Sequence, residues 1–326
     1  MKLKTNELKK FNSYSSSIKA NSILPIFSYL KFKDGVITKS SSEQFIEMEA
    51  DFKGKCLIDE RALMAFVNAE SSDEINVEVK GNSILLSSGK RRGTSPTEDI
   101  NNFPKSEFNI DNAVSIPNEI ISSIKIASNF TLERENMPYT SCVFLGRGLL
   151  GASTGFVAYI ESIDKSIPEI ILDKPITTAL KSLSNVLFSE TGSWQFIQSG
   201  AFNFGFRKRE IKFVNFLPFL NIGDEEGVKT DKSEIIAFCN NCIATTPSSV
   251  VVAKIEGNKL TMNDADFGVS CETELPIELG DFTFNPSFMG KLLMSLPDEE
   301  VTFIKNKDRF YITGKSGFTS LIMQMQ

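Results

Sequence analysis

Apolar residues recur at helical spacing in six stretches of the chain. Three of these open a segment: Leu8, Phe11 and Ser15 share one face, Ile120, Ile121, Ile124 and Ala127 a second, and Ile235, Ile236, Cys239, Cys242 and Ile243 a third. The other three follow a capping residue. Asp59 precedes Leu63, Met64, Phe66 and Val67; Asp173 precedes Ile176, Ala179, Leu180 and Leu183; Asn285 precedes Phe288, Met289, Leu292, Leu293 and Leu296. Asp and Asn accept hydrogen bonds from the free N–H groups of a first helical turn, and Pro175 and Pro286 suit its first positions. The patterning predicts helices over 5–17, 59–69, 117–129, 173–183, 231–243 and 286–296. Between them run short alternating segments such as Val36–Thr38, Gln44–Met48, Ile75–Val79 and Thr302–Ile304, which read as strands. Asp34-Gly35, Gly81-Asn82 and Gly257-Asn258 are turn signals.

These elements repeat. The capping residues 59, 173 and 285 lie 114 and 112 residues apart, and the closing segments Asn102-Phe103-Pro104 and Phe216-Leu217-Pro218 place their prolines 114 apart. One unit of helix, strands, helix, strands is therefore written three times. The expected fold class is α+β, with antiparallel sheets carrying two helices per unit, over 1–111, 112–222 and 223–326. Asn221–Gly227 reads as a linker.

Composition narrows the function. The chain has 326 residues, 41% hydrophobic and 23% charged, as in an ordinary soluble protein. No apolar run approaches ~18 residues, so no membrane contact is expected. The start, MKLKTNELKKF, lacks the apolar stretch of a signal peptide. Five sparse cysteines favour free thiols in a reducing, cytoplasmic setting. Histidine is absent, which removes Ser-His-Asp and Cys-His catalysis and histidine metal sites. No convergent polar set suggests an enzyme; no catalytic residue, metal or cofactor is expected. With a net charge of -6, an open basic DNA-binding patch is not the first expectation, and a ring that holds DNA by topology is not excluded.

Several motifs have two readings. Gly146-Arg147-Gly148-Leu149-Leu150-Gly151 is a literal GxGxxG, but a dinucleotide fingerprint needs a helix at its end. The residues that follow read as strand, and the repeat places Gly148 where the first unit has its Asp34-Gly35 hairpin turn, so a hairpin is expected. Cys239 and Cys242 form one CxxC pair on an apolar helix face, which favours buried thiols over metal or redox chemistry. Lys90-Arg91-Arg92 and Arg207-Lys208-Arg209 could touch DNA or a loader, or could simply be charge that protects edge strands.

Three such units in this order resemble the beta subunit of bacterial DNA polymerase III, the sliding clamp. The resemblance rests on Leu24-Pro25-Ile26 after the first helix, Asn102-Phe103-Pro104 closing the first unit, Phe284-Asn285-Pro286-Ser287-Phe288 starting the last helix, and the C-terminal Leu321–Gln326, which is similar to the family's VVMPMRL. It implies three tandem clamp-fold domains in a homodimeric ring, helices lining the hole. Such a ring is a processivity factor in DNA replication. Its implied partners are double-stranded DNA held without sequence preference, a replicative polymerase and a clamp loader.

The resemblance also implies site residues. Beyond the first helical turns the charges Lys9, Lys10, Lys125, Lys181 and Lys291 are all positive and would face DNA in the pore. Ser153, Gly155, Phe156, Val157 and Ala158 match the family's ATDGHRL and would form one wall of a pocket for partner peptides. Leu321, Met323, Gln324 and Met325 would form another, with Asn285 and Phe288 nearby. Methionine suits adaptable recognition, although Met323 and Met325 also read as plain strand residues. Phe156 and Val157 replace the family's histidine and arginine, so a more apolar pocket is expected. At the dimer interface Gly93 and Ser95 stand where the family has bulky apolar residues, opposite a helix end near Cys242 and Ile243, which implies a weaker dimer. These departures keep open a non-encircling scaffold that reuses the fold.

Overall fold

The computed structural model describes residues 1–16, 18, 24–69, 73–222, 226–247 and 251–325. Part of the linker candidate, residues 223–225, and the last residue of the C-terminal motif, Gln326, lie outside the described residues.

Among the described residues the element order is one sequence of β, α, four β, α, three β, run three times. The first run is β1 (Lys2–Lys4), α1 (Thr5–Ser15), β2 (Tyr29–Lys33), β3 (Val36–Ser40), β4 (Gln44–Glu49), β5 (Lys55–Asp59), α2 (Glu60–Ala69), β6 (Glu74–Lys80), β7 (Ser83–Ser88) and β8 (Arg91–Pro96). The second is β9 (Val114–Ile116), α3 (Asn118–Ala127), β10 (Cys142–Gly146), β11 (Leu149–Ser153), β12 (Val157–Ser162), β13 (Ile170–Asp173), α4 (Lys174–Leu180), β14 (Val186–Thr191), β15 (Trp194–Ser199) and β16 (Phe202–Arg207). The third is β17 (Val228–Asp231), α5 (Ser233–Thr245), β18 (Ala253–Glu256), β19 (Lys259–Asp264), β20 (Val269–Glu274), β21 (Phe282–Phe284), α6 (Pro286–Ser295), β22 (Glu300–Asn306), β23 (Arg309–Thr313) and β24 (Phe318–Met323).

The three expected caps form. Asp59 Oδ1 accepts from Ala62 N at 2.8 Å, Asp173 Oδ1 from Ile176 N at 3.3 Å, and Asn285 Oδ1 from Ser287 N at 2.8 Å. Helix lengths differ from expectation. α4 ends at Leu180, so Lys181 lies beyond it, while α5 runs to Thr245. α5 buries Ile235, Phe238, Cys239 and Cys242, which leaves Ile243 on the exposed side. The GxGxxG segment is the β10–β11 hairpin, with Arg147 and Gly148 both at positive φ (58° and 80°) and Gly146 paired to Leu149. Asp34-Gly35 turns the β2–β3 hairpin in the same way. Two successive residues at positive φ match the twist of the flanking strands.

The residues gather into two compact units, 1–121 with 178–209 and 122–177 with 210–326. Each holds one eight-stranded and one four-stranded antiparallel sheet. In the first unit the orders are β5-β2-β3-β4-β16-β15-β14-β9 and β1-β6-β7-β8. In the second they are β13-β10-β11-β12-β24-β23-β22-β17 and β20-β19-β18-β21. Each eight-stranded sheet thus joins four strands of one run to four of another, through β4–β16 and through β12–β24. Where a strand is joined on both sides, its backbone groups are paired and both of its faces can be buried.

At the β4–β16 junction Phe45 lies directly across from Gly205, and a Cβ on Gly205 would collide with the Phe45 ring. In the second unit Phe216 lies against Gly151, where a Cβ would come within 2.7 Å of the ring. Both glycines let an aromatic ring lie against a strand. Overpacking such a site costs about 1–3 kcal/mol. Gly205→Ala is therefore expected to lower the denaturation midpoint, and adding Phe45→Leu, which removes the colliding ring, should recover part of the loss. A Gly205→Ala protein as stable as the parent in urea titration would contradict this packing.

Candidate functional site

The β11–β12 turn builds a fixed aromatic post. Ser153 Oγ donates to Val157 O (3.1 Å) and accepts from Gly155 N (3.0 Å), while Thr154 Oγ1 accepts from Phe156 N (3.3 Å) and Val157 N (3.2 Å). Gly155 takes φ 90°, a left-handed geometry that glycine adopts without strain. The turn leaves Phe156 45% exposed. Its ring stacks on Phe288, in the first turn of α6, at 5.5 Å and 21°, and carries the Arg134 guanidinium at 4.8 Å. Offset stacking and a cation over the face both fix the ring.

The C-terminal segment is held beside this post by its backbone. Met323 N donates to Phe156 O (2.9 Å), Gln324 N to Asp308 O (2.8 Å) and Met325 N to Thr283 O (3.0 Å). Thr283 Oγ1 closes the last step on Met325 O at 2.9 Å. Two clefts result. The larger, about 690 Å3, lies between Phe156, Asn285, Phe288 and residues 322–325, with Asp308 at its edge. The smaller, about 280 Å3, lies between Tyr139, Ala158, Phe216, Phe219 and Leu321. Gly155, Phe156 and Met323 line both. Mostly apolar concave walls with a few polar groups are what a bound side chain needs.

Of the expected pocket residues, Gly155, Phe156, Asn285, Phe288, Met323, Gln324 and Met325 meet at the larger cleft, and Ser153, Ala158 and Leu321 at the smaller. Val157 lines neither. It is buried, and the pleat turns it to the sheet face opposite Ala158. Tyr139, Val214, Phe216, Phe219 and Asp308 are wall residues that the motif did not name. Phe216 carried a signal, since its segment marks the close of a repeat, but nothing in the sequence tied it to Gly151.

The other expected residues are placed as follows. Lys9 and Lys10 on α1, Lys181 and, on α6, Lys291 are exposed, and Lys125 in the last turn of α3 is half-buried. Lys10 Nζ sits 5.2 Å from the Phe202 ring. β8 is an edge strand on which Arg91, Arg92 and Thr94 are exposed. Gly93 and Ser95 point the other way: Ser95 is 1% exposed, and a Cβ on Gly93 would come within 3.2 Å of the Phe66 ring. The missing side chain at Gly93 makes room for the chain's own Phe66. Cys242 is buried, whereas Ile243 is exposed. Lys208 is paired with Glu190 at 2.7 Å, and the Arg207 guanidinium lies over Trp194.

Both cysteines of the CxxC pair are buried. Burial, reinforced by the neighbouring Cys271 thiol, pushes Cys242 up to about 12, and burial pushes Cys239 up as well. Cys56 is pushed up to about 12 by burial too. A thiol with that pKa is only roughly 1 part in 10⁴ thiolate at pH 8, and the thiolate is the reactive form. Folded protein at pH 8 should therefore show rapid labelling by Ellman's reagent at Cys271, which is half-exposed, with the buried thiols reacting only after denaturation. Rapid native labelling of Cys239 or Cys242 would contradict their placement.

No family model matches the sequence, and no curated protein sequence matches it. Solved structures do. The DNA polymerase III beta subunit of Thermotoga maritima superposes with a TM-score of 0.81 at 18% identity, covering 100% of this chain and 98% of that one. The sliding clamp (DNA polymerase III subunit beta) of Pseudomonas aeruginosa, bound to griselimycin, gives 0.79 at 18%, covering 100% and 99%. The beta subunit from DNA polymerase of Streptococcus pyogenes gives 0.80 at 16%, again covering 100% and 99%. The chain therefore has, along its whole length, the fold of the DNA polymerase III beta subunit, the sliding clamp.

Proposed function

We propose that this protein is a sliding clamp, a non-enzymatic processivity factor that closes around duplex DNA and tethers a replicative polymerase. The observation that carries the reading is the double cleft at Phe156 and Met323. On a clamp fold it offers apolar anchor sites beside a backbone-fixed C-terminal segment, a surface suited to a partner's short peptide. Its walls hold rings and thioethers, while the Ser153 and Thr154 hydroxyls are committed to the turn. That is an arrangement for binding. Residues 1–111, 112–222 and 223–326 act as three domains in this reading, and the exposed lysines of the helices meet phosphates without reading bases.

Ring closure draws support from the sheet edges. The four-stranded sheets have β8 and β20 as one of their two edge strands, with β1 and β21 at the other edges. β8 exposes Arg91 and Arg92, and β20 exposes Glu274 and Glu272, the latter shared with Lys259 at 2.9 Å. Pairing β8 of one copy with β20 of another would turn both into parts of eight-stranded sheets and would set opposite charges side by side. Phe66 beside β8 and Ile243 near β20 are apolar groups such a junction can bury. The closed dimer is salt-sensitive, because exposed charges supply much of its specificity.

Primer extension with the matching polymerase, loader and ATP tests this reading. The parent protein should lengthen the products made in one binding event. Phe156→Asp should abolish that gain while leaving dimers intact, since spoiling an anchor pocket costs about 2 kcal/mol or more. Arg92→Glu should abolish it by opening dimers, seen in light scattering, and Glu272→Arg added to it should restore both. Parent protein that never lengthens products would contradict the assignment.

A further inference from the structure

The first unit contains a cleft of its own, about 560 Å3, at a matching place in its repeat. In the second unit the clefts lie at the β11–β12 turn, beside the join to β24. In the first, the cleft lies at the β3–β4 turn, beside the join to β16, and is lined by Ser42, Phe45, Lys105, Phe108 and Trp194 among others. Its walls hold five rings, Phe27, Phe45, Phe108, Trp194 and Phe196. Phe45 meets Trp194 at 5.7 Å, Phe108 meets Phe196 edge-on at 5.6 Å and 84°, and the Arg207 guanidinium covers Trp194 at 5.5 Å. The Gly205–Phe45 packing at the β4–β16 join supports this wall from behind.

We infer that this cleft is a second, distinct peptide-binding site, and that it takes a short extended segment bearing a bulky apolar side chain next to a carboxylate. The rings are engaged with one another and with Arg207, so they suit an inserted side chain better than stacked bases, which need open ring faces. The carboxylate follows from charge. In the lining Lys105 is matched by Glu107, and the Arg207 guanidinium over Trp194, which among the described residues no carboxylate pairs with, adds the positive charge that a carboxylate would meet. Lys208, next along the chain, is already neutralised by Glu190. The site does not depend on the clamp reading, since it belongs to the first unit and needs neither DNA nor ring closure.

Trp194, the only tryptophan in the chain, reports on this cleft directly. The full-length protein is titrated with the peptide acetyl-Gly-Glu-Leu-Phe-Gly-amide while tryptophan emission is followed. Saturable change is expected. The counterpart with Lys in place of Glu should bind about threefold to tenfold more weakly, the scale of one or two exposed charge contacts. Lys105→Glu, an exposed substitution, should reverse that order. Phe156→Asp, which spoils the clefts of the second unit, should leave the titration as it is. The inference is overturned by a flat titration up to on the order of 1 mM peptide, or by equal affinity for both peptides. It is equally overturned by loss of the signal in Phe156→Asp, or by a response to a single-stranded oligothymidylate in place of the peptides.

Discussion

A strand at the edge of a sheet leaves every second backbone N–H and C=O without a partner, and those groups must find one in another strand or in water. Most of this architecture follows from how the chain deals with that constraint. Each run of ten elements makes strands with open edges. β4 closes its edge on β16, and β12 closes its edge on β24, so that two eight-stranded sheets form from strands far apart in sequence. The C-terminal residues continue the same logic, crossing by backbone hydrogen bonds from Phe156 to Asp308 to Thr283. β8 and β20 keep open edges, one basic and one acidic. Edges that carry opposite charges resist pairing with their own kind and favour pairing with each other.

The junctions that solve the edge problem also leave clefts beside them. At the first junction the Phe45 ring lies over Gly205, and in the second unit the Phe216 ring lies over Gly151 on β11, one strand in from the join. Beside each ring a cleft remains. In the second unit the Phe156 post divides it into a larger and a smaller part; in the first unit the cleft is walled by Trp194 and its neighbouring rings. The aromatic and methionine content of these walls is a consequence of their position at seams, where rigid rings and flexible thioethers fill irregular space.

Local features were legible in the sequence. Asp59, Asp173 and Asn285 each cap a helix because a short acceptor before an apolar-periodic run has one good use. Asp34-Gly35 and Arg147-Gly148 turn hairpins because both central residues must take positive φ. Facing was less legible. Gly93 looked like a loss of apolar surface, yet its open side is occupied by Phe66 from the chain's own helix. Val157 stands next to a cleft residue but faces away from it, since one step along a strand reverses the side chain. Lys181 lost its helical position because α4 ends a turn earlier than the apolar pattern continues. The pairing of β4 with β16 was not legible at all, because alternation tells which face of a strand is buried and not which strand it meets.

On the proposed function the protein holds DNA by enclosing it. A basic patch binds through released counterions, so its grip falls steeply with salt and ignores whether the DNA has ends. A closed ring grips mechanically, which suits a chain of net charge -6 whose helices carry exposed lysines. The direct measurement loads the protein onto nicked circular DNA with loader and ATP, isolates the complex in moderate salt, and then cuts the circle once with a restriction enzyme. Enclosure predicts retention on the circle and loss from the linear product; equal retention on both forms would contradict it.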